Sequence, residues 1–209
     1  MRFIRMPWFL KLLMRKAEWR LPTREKAIYL TFDDGPIPEV TDFVLDQLAK
    51  FNAKATFFAV GENVQKHPDI LQRIIAQGHQ VGNHTFNHLN GWKTESKRYL
   101  ENVKKCQAAL EPFMPADQPH FFRAPYGKLR LSQFKSLSRQ YRLIFWDLLT
   151  YDFDATFSPE ACLKTSLAKT RPGSIVVFHD SLKARRNLEY VLPRYLEALQ
   201  LAGYRFRAL

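Results

Sequence analysis

The chain has little cysteine, and what it has is badly placed for chemistry. Cys106 and Cys162 are the only two in 209 residues. Each falls inside an expected helix, so they lack metal-ligand spacing and build no disulfide framework. That usage suits a reducing compartment. Long hydrophobic runs are missing as well. The apolar stretch from Met6 to Met14 is broken by Lys11 and falls far short of the ~20 residues that span a bilayer. No small-residue cleavage site follows before Trp19 and Arg20. No cleavable signal peptide is therefore expected, and the chain reads as cytoplasmic or peripheral to the cytoplasmic face of a membrane. The mix of Trp, Phe and Leu with Arg and Lys in this segment suits contact with an anionic membrane surface. Without a long amphipathic helix, packing against the body of the fold is the simpler expectation.

Acidic residues are scarce: 20 Asp and Glu stand against 32 Lys and Arg, a net charge of +12. The basic residues are spread along the chain, and the densest group, Lys183-Ala184-Arg185-Arg186, is short. No nucleic-acid-binding signature accompanies them. Charge alone gives only nonspecific attraction, so nucleic acid is not expected as a partner. There is no Pro/Gly/Ser-rich linker, no repeat and no low-complexity tract. Residues 26–209 read as one domain behind an N-terminal extension of residues 1–25, with a monomer as the default.

What is present is a globular composition, 46% hydrophobic with 17 Phe, which predicts an aromatic-rich core. Short β-rich runs are expected at Ala27–Phe32, Ala55–Val60, Gln80–Asn83, His120–Arg123, Arg142–Trp146, Ser174–His179 and Tyr204–Arg207. Apolar residues at helical spacing predict helices over Glu39–Phe51, Asn63–Gln77, Thr94–Leu110, Leu131–Arg139, Pro159–Lys169 and Leu188–Leu201. Strands alternating with helices imply βα units and a mostly parallel sheet. Both a compact α/β barrel and a doubly wound sheet satisfy this pattern.

The residues with chemical potential share an address. Asp33 and Asp34, His84, Arg123, Asp147 with Asp152 beyond it, and His179 with Asp180 all follow expected strand ends. In barrels and open α/β sheets that edge carries the ligand site. TFDDGP sets two carboxylates side by side, an arrangement that asks for a positive partner. In GNHTFNH, His84 and His88 stand four apart; on a helical turn they face one way and could hold a divalent metal, with a carboxylate from TFDDGP as third ligand and a position left for water. In FFRAPYG, Arg123 emerges from an apolar strand end and needs a carboxylate, and Pro125-Tyr126-Gly127 shapes a rigid turn. In IVVFHD, His179 ends a hydrophobic strand, where Asp147 or Asp152 could orient it as an acid.

TFDDGP, HTFNH, RAPYG, WDLLTYDF and VFHD occur in the order of the five motifs of the polysaccharide deacetylases, the NodB-like carbohydrate esterases of family 4. The resemblance runs from about Lys26 to the C-terminus. It implies a distorted (β/α)7-type, TIM-barrel-like fold. It also implies metal-dependent removal of acetyl groups from N-acetylated sugars of the N-acetylglucosamine type. Carried over by position, Asp33 resembles the general base and His179 the general acid, tuned by Asp152. Arg123 would pair with Asp33. Asp34, His84 and His88 resemble the ligands of one divalent ion, expected to be zinc, with cobalt, nickel or manganese also suited. The Tyr126 backbone N–H would help hold the oxyanion, with Pro125, Phe153 and Val177 shaping the acetyl pocket. Three positions depart from the family pattern: Leu149 replaces an Asp, Phe153 a Trp and Val177 a Leu. These keep two alternatives open, another amide or O-acetyl ester hydrolase on the same scaffold and a non-catalytic basic polymer-binding protein.

Overall fold

A computed structural model describes residues 14–209. Within them the strands are β1 (Ala17–Glu18), β2 (Ala27–Asp33), β3 (Thr56–Ala59), β4 (Gln80–Asn83), β5 (Phe121–Phe122), β6 (Arg142–Ile144), β7 (Leu148–Leu149), β8 (Ile175–His179) and β9 (Arg205–Arg207). The helices are α1 (Val40–Lys50), α2 (Gly61–Lys66), α3 (Pro68–Ala76), α4 (Ser96–Leu110), α5 (Leu131–Leu137), α6 (Pro159–Lys169) and α7 (Arg185–Leu201). The sheet order is β1-β6-β5-β4-β3-β2-β8-β7, with β9 pairing the first half of β2, and every ladder is parallel. The sheet curls into a distorted α/β barrel. Its two ends are tied near the start of β8 by an antiparallel bridge between Arg20 and Ser174, backed by Leu21 N–H to Gly173 O at 2.9 Å.

Period-two alternation sorts β2 between two environments. Ile28, Leu30 and Phe32 join Val44 and Leu48 of α1 and Leu192 and Leu196 of α7 in the main core. Thr31 and Asp33 face the other way, toward Arg123 inside the curl. Phe32 is in register with Phe57 and Phe178, and its ring stacks on both, at 5.1 and 5.9 Å. The abundant Phe thus becomes a cross-strand aromatic ladder, each ring worth about 1.5–3 kcal/mol in burial. Phe58, Phe121, Ile144 and Ile175 fill the inside of the curl below Arg123.

The expected helix Asn63–Gln77 is two helices. Pro68 lacks the N–H a continuous helix needs and disfavours α geometry at His67, which adopts φ −134° and ψ 58°. Pro68 then opens α3, where its fixed φ is an asset. Strands β1 and β7 were not expected; at two residues each they are too short for a periodic signal. Strand β1 comes from the segment read as an extension. Trp19 beside it is buried and stacks on Phe145 at 4.4 Å. The residues that prompted the membrane-surface expectation lie mostly in 1–13, outside the described residues. Among the described residues, no helix is long and apolar enough to cross a membrane.

Candidate metal and acid–base site

Strand β2 ends at Asp33, which is in register with His179 at the end of β8. The parallel ladder therefore sets the two side by side on the C-terminal edge. Arg123 reaches the same place from the loop after β5. Its Nη1 donates to Asp33 Oδ1 and Thr31 Oγ1, both at 2.7 Å, its Nε to Ile144 O at 3.2 Å and its Nη2 to Phe145 O at 3.0 Å. The guanidinium lies 4.1 Å from the Phe58 ring centroid and is 1% exposed. A buried charge persists only when it is paired and well hydrogen-bonded; this one has the Asp33 carboxylate and four hydrogen bonds from its five N–H donors.

Asp34 follows with φ 89°, in the left-handed region that non-glycine residues avoid. Its carboxylate meets two histidines: Oδ1 is 3.2 Å from His88 Nε2 and 3.8 Å from His84 Nε2. One ligand atom from each of the three residues lies within 4.8 Å of the others. His84 Nδ1 donates to Arg123 O at 2.9 Å, which leaves the Nε2 lone pair facing the cluster. Burial pushes His84 down to about 4, against the raising pull of Asp33, so its ring is neutral at physiological pH. Burial acts to raise Asp34, but the hydrogen bond from His88 and then the charge of His179 lead the influences that outweigh it and hold the carboxyl below its ordinary range. Two imidazole nitrogens and an ionised carboxylate are the donor set of an open divalent-metal site, and the residues present fit such an ion.

The expectation that His84 and His88 share a helical face is corrected. They sit on a loop with Thr85 at φ 63° and His88 at φ 52°. Asn83 Oδ1 accepts the Thr85 N–H, and Thr85 Oγ1 accepts the Leu89 N–H. Asn102 of α4 accepts the N–H groups of Phe86 and Asn87 at 2.8 and 3.0 Å. Side-chain acceptors thus replace the helical bonds, and turn chemistry brings the rings together.

On the other flank, His179 Nδ1 donates to Asp152 Oδ1 at 2.8 Å, and the His179 N–H to Asp152 Oδ2 at 2.7 Å. Burial would lower His179, but the Asp152 charge and hydrogen bond, with Asp34 and Asp33, push it up to about 9. The Phe153 ring stands edge-on to His179 at 4.7 Å. Tyr126, at φ 61° and 60% exposed, lies 4.7 Å from the His88 ring.

Residues 20–143 match the family model described as polysaccharide deacetylase. The chain belongs to the polysaccharide deacetylase family. It is 32% identical over 190 residues to a peptidoglycan-N-acetylglucosamine deacetylase of Bacillus cereus, covering 90% of this chain and 88% of that one. It is 30% identical over 200 residues to a chitooligosaccharide deacetylase of a Bradyrhizobium strain, covering 88% and 89%. Among solved structures it is similar to a peptidoglycan N-acetylglucosamine deacetylase in complex with 4-naphthalen-1-yl-N-oxidanyl-benzamide. The TM-score there is 0.88 at 30% identity, over 98% of this chain and 95% of that one.

Within this deacetylase fold, two positions that depart from the family pattern are neighbours. Leu149 is in register with Val177, and both pack into the apolar cluster that holds Phe145 and Trp146. Pro125 is buried beneath the turn, and Gly127 continues it at φ 64°, where a Cβ would lie 2.5 Å from the Trp146 ring. Asp147 is a correction. Its buried carboxylate accepts from Arg171 Nε and Nη2 at 2.9 and 2.6 Å and from Ser174 Oγ at 2.8 Å. Ser174 precedes β8, so Asp147 lies at the opposite edge from His179, and Asp152 alone of the two acids meets the histidine. Strand β6 stops at Ile144, and Asp147 lies just before β7 rather than closing β6.

Proposed function

We propose that the protein hydrolyses the acetamide of N-acetylglucosamine-containing glycans, as the names of the peptidoglycan and chitooligosaccharide deacetylases similar to it suggest. The observation that carries the reading is the ladder register of Asp33 with His179, with the Asp34, His84 and His88 cluster beside it. Asp34, His84 and His88 would hold one divalent ion, zinc by donor chemistry. When bound, such an ion supplies a Lewis acid that acidifies water and polarises a carbonyl.

The chain's own residues then divide the work. Asp33, one oxygen held by Arg123, takes the proton of the attacking water with the other. The Tyr126 backbone N–H donates to the oxygen of the developing tetrahedral carbon. His179 holds its Nδ1 hydrogen on Asp152, so its Nε2 hydrogen is the one delivered to the departing nitrogen. A carbon–oxygen bond forms and the carbon–nitrogen bond breaks, giving acetate and a free amine. His179 is protonated at neutral pH, the form an acid needs.

The test is acetate release from N-acetylglucosamine oligomers in the presence of added zinc or cobalt. Activity is expected in the wild type and lost in Asp33→Asn. A second reading, an O-acetyl ester hydrolase, is kept open by Leu149 and Val177, which are neighbours in the ladder and stand where the motif pattern that the chain resembles has an Asp and a Leu. An alkoxide leaves without the proton an amine requires, so His179→Ala should spare O-acetyl sugars and abolish amide cleavage. Equal loss on both substrates would remove His179 from the acid role.

A further inference from the structure

Asp180 is buried and takes no part in the chemistry above. Its two carboxylate oxygens have separate tasks. Oδ1 accepts the Gly35 N–H at 3.0 Å, and Oδ2 accepts the Thr41 hydroxyl at 2.7 Å. Thr41 Oγ1 in turn accepts the Ile37 N–H at 2.8 Å, at the start of α1. The Asp180 N–H donates to Asp33 O at 3.0 Å. One residue therefore joins β8, the end of β2, the turn after it and the first helix.

That turn carries Asp34 at φ 89°. A strained backbone persists only where its surroundings over-determine it. Here the peptide groups on both sides of the strain are tied down. Asp34 N–H donates to Phe58 O at 3.3 Å, and Asn63 Nδ2 donates to Asp34 O at 2.8 Å. Val60 N–H donates to Gly35 O at 2.9 Å. The remaining group, the Gly35 N–H, is held by Asp180. The approach is so close that a Cβ on Gly35 would lie 1.9 Å from Asp180 Oδ2, so only glycine admits the carboxylate.

We propose that Asp180 is a positioning residue for Asp34: by clamping the Gly35 peptide to α1 it preorganises the carboxylate for the ion, and so sets the metal affinity of the site. The inference rests on the metal-site reading of Asp34, His84 and His88. A buried carboxylate with only neutral donors is a costly choice for a structural tie. It is also the short side chain that offers two separate acceptors to a backbone N–H and a hydroxyl at once. Burial and the nearby Asp34 charge raise its pKa to about 8, against the hydrogen bonds from Thr41 and Gly35. The clamp holds in either state, because a protonated Oδ2 can donate to Thr41 Oγ1 while Oδ1 keeps the Gly35 N–H.

The experiment is a calorimetric titration of zinc into metal-free protein with a competing chelator, for wild type, Asp180→Ala and Asp180→Asn. Asp180→Ala is expected to bind zinc about 10-fold or more weakly. Asp180→Asn, which keeps an acceptor for Gly35, is expected to retain most of the affinity. A folded Asp180→Ala protein with wild-type zinc affinity overturns the proposal. Should that variant not fold, Thr41→Val decides: it cuts the tie from Oδ2 to α1, along with the Ile37 N–H bond, and leaves Oδ1 on Gly35, and unchanged affinity there also overturns it. Turnover plays no part in the readout. A wild type that binds zinc but releases no acetate refutes the proposed function and leaves this inference standing, whereas a wild type that binds no zinc refutes both.

Discussion

Arg123 Nη1 and Asp33 Oδ1 lie 2.7 Å apart at 1% and 6% side-chain exposure, a charge pair closed off from solvent inside the barrel mouth. Three further acceptors fix the same guanidinium: the Thr31 hydroxyl oxygen, and the carbonyls of Ile144 and Phe145, which hold it from the β6 side. The planar fork is what serves these directions together, and a lysine ammonium cannot. Arg123→Lys is expected to fold with reduced stability and little turnover. Arg123→Met leaves Asp33 buried without its counter-charge and should cost roughly 3–5 kcal/mol. Urea unfolding reads the stability. A Met variant as stable as wild type would mean that Asp33 is satisfied without the arginine.

The two adjacent carboxylates should separate cleanly by experiment. Asp34 faces His84 and His88, whereas Asp33 faces Arg123. Asp34→Ala and His84→Ala are therefore expected to lose bound metal, while Asp33→Asn keeps it and loses turnover. Elemental analysis of purified variants, paired with acetate release, reads both properties. A metal-free Asp33→Asn protein would reverse the assignment of the two aspartates.

The alkaline limb of the rate profile should belong to His179. Its pKa is pushed up to about 9, chiefly by Asp152 against burial. The acid form is present below that value and disappears above it, so amide hydrolysis should fall as pH rises through the limb. A cation bound at Asp34 offsets part of that carboxylate's pull and moves the limb below 9. Asp152→Asn removes the largest raising influence, and the limb should shift to lower pH in kcat/KM profiles. An unmoved limb would assign it to another group. Stability follows the same sign: the folded pKa exceeds the unfolded value of about 6.5. The contribution is complete below about 6.5 and is lost as pH rises through the folded value.

The site was more legible in the sequence than the fold that presents it. Asp33, Arg123 and His179 each close a short apolar run set between helical patterns, and that alternation let their shared strand edge be read from the sequence. The supports could not. Asn63 and Asn102 act through backbone groups that come near only after folding, and Asp180, though its place at the edge is readable, gives no local sign of its hold on Gly35 and Thr41. His84 and His88 show the reverse case, where the pairing was visible but the helix inferred from their spacing was not there, because Thr85 and His88 take left-handed geometry. Pro68 was a readable break, outweighed by apolar periodicity that continued past it.

Asp147 was the residue whose address failed, and it supplies the sharpest control. A strand assigned two residues too long carried it to the site edge, yet its carboxylate is buried with Arg171 and Ser174 at the start of β8. There it closes the end of the barrel away from the histidines. Arg171→Met removes a charged partner from a buried carboxylate, to which the Ser174 hydroxyl also donates. The expected cost is roughly 2–3 kcal/mol, toward the lower end for a buried pair because the Arg171 side chain is 41% exposed. Zinc affinity and the kcat of the folded fraction should be unchanged, since this pair sits at the start of β8 beside Ser174 and the site lies at the far end of that strand, beyond His179. Urea unfolding beside a zinc titration reads both quantities on one sample. A variant of normal stability with weakened zinc binding would show that the two edges are coupled through β8.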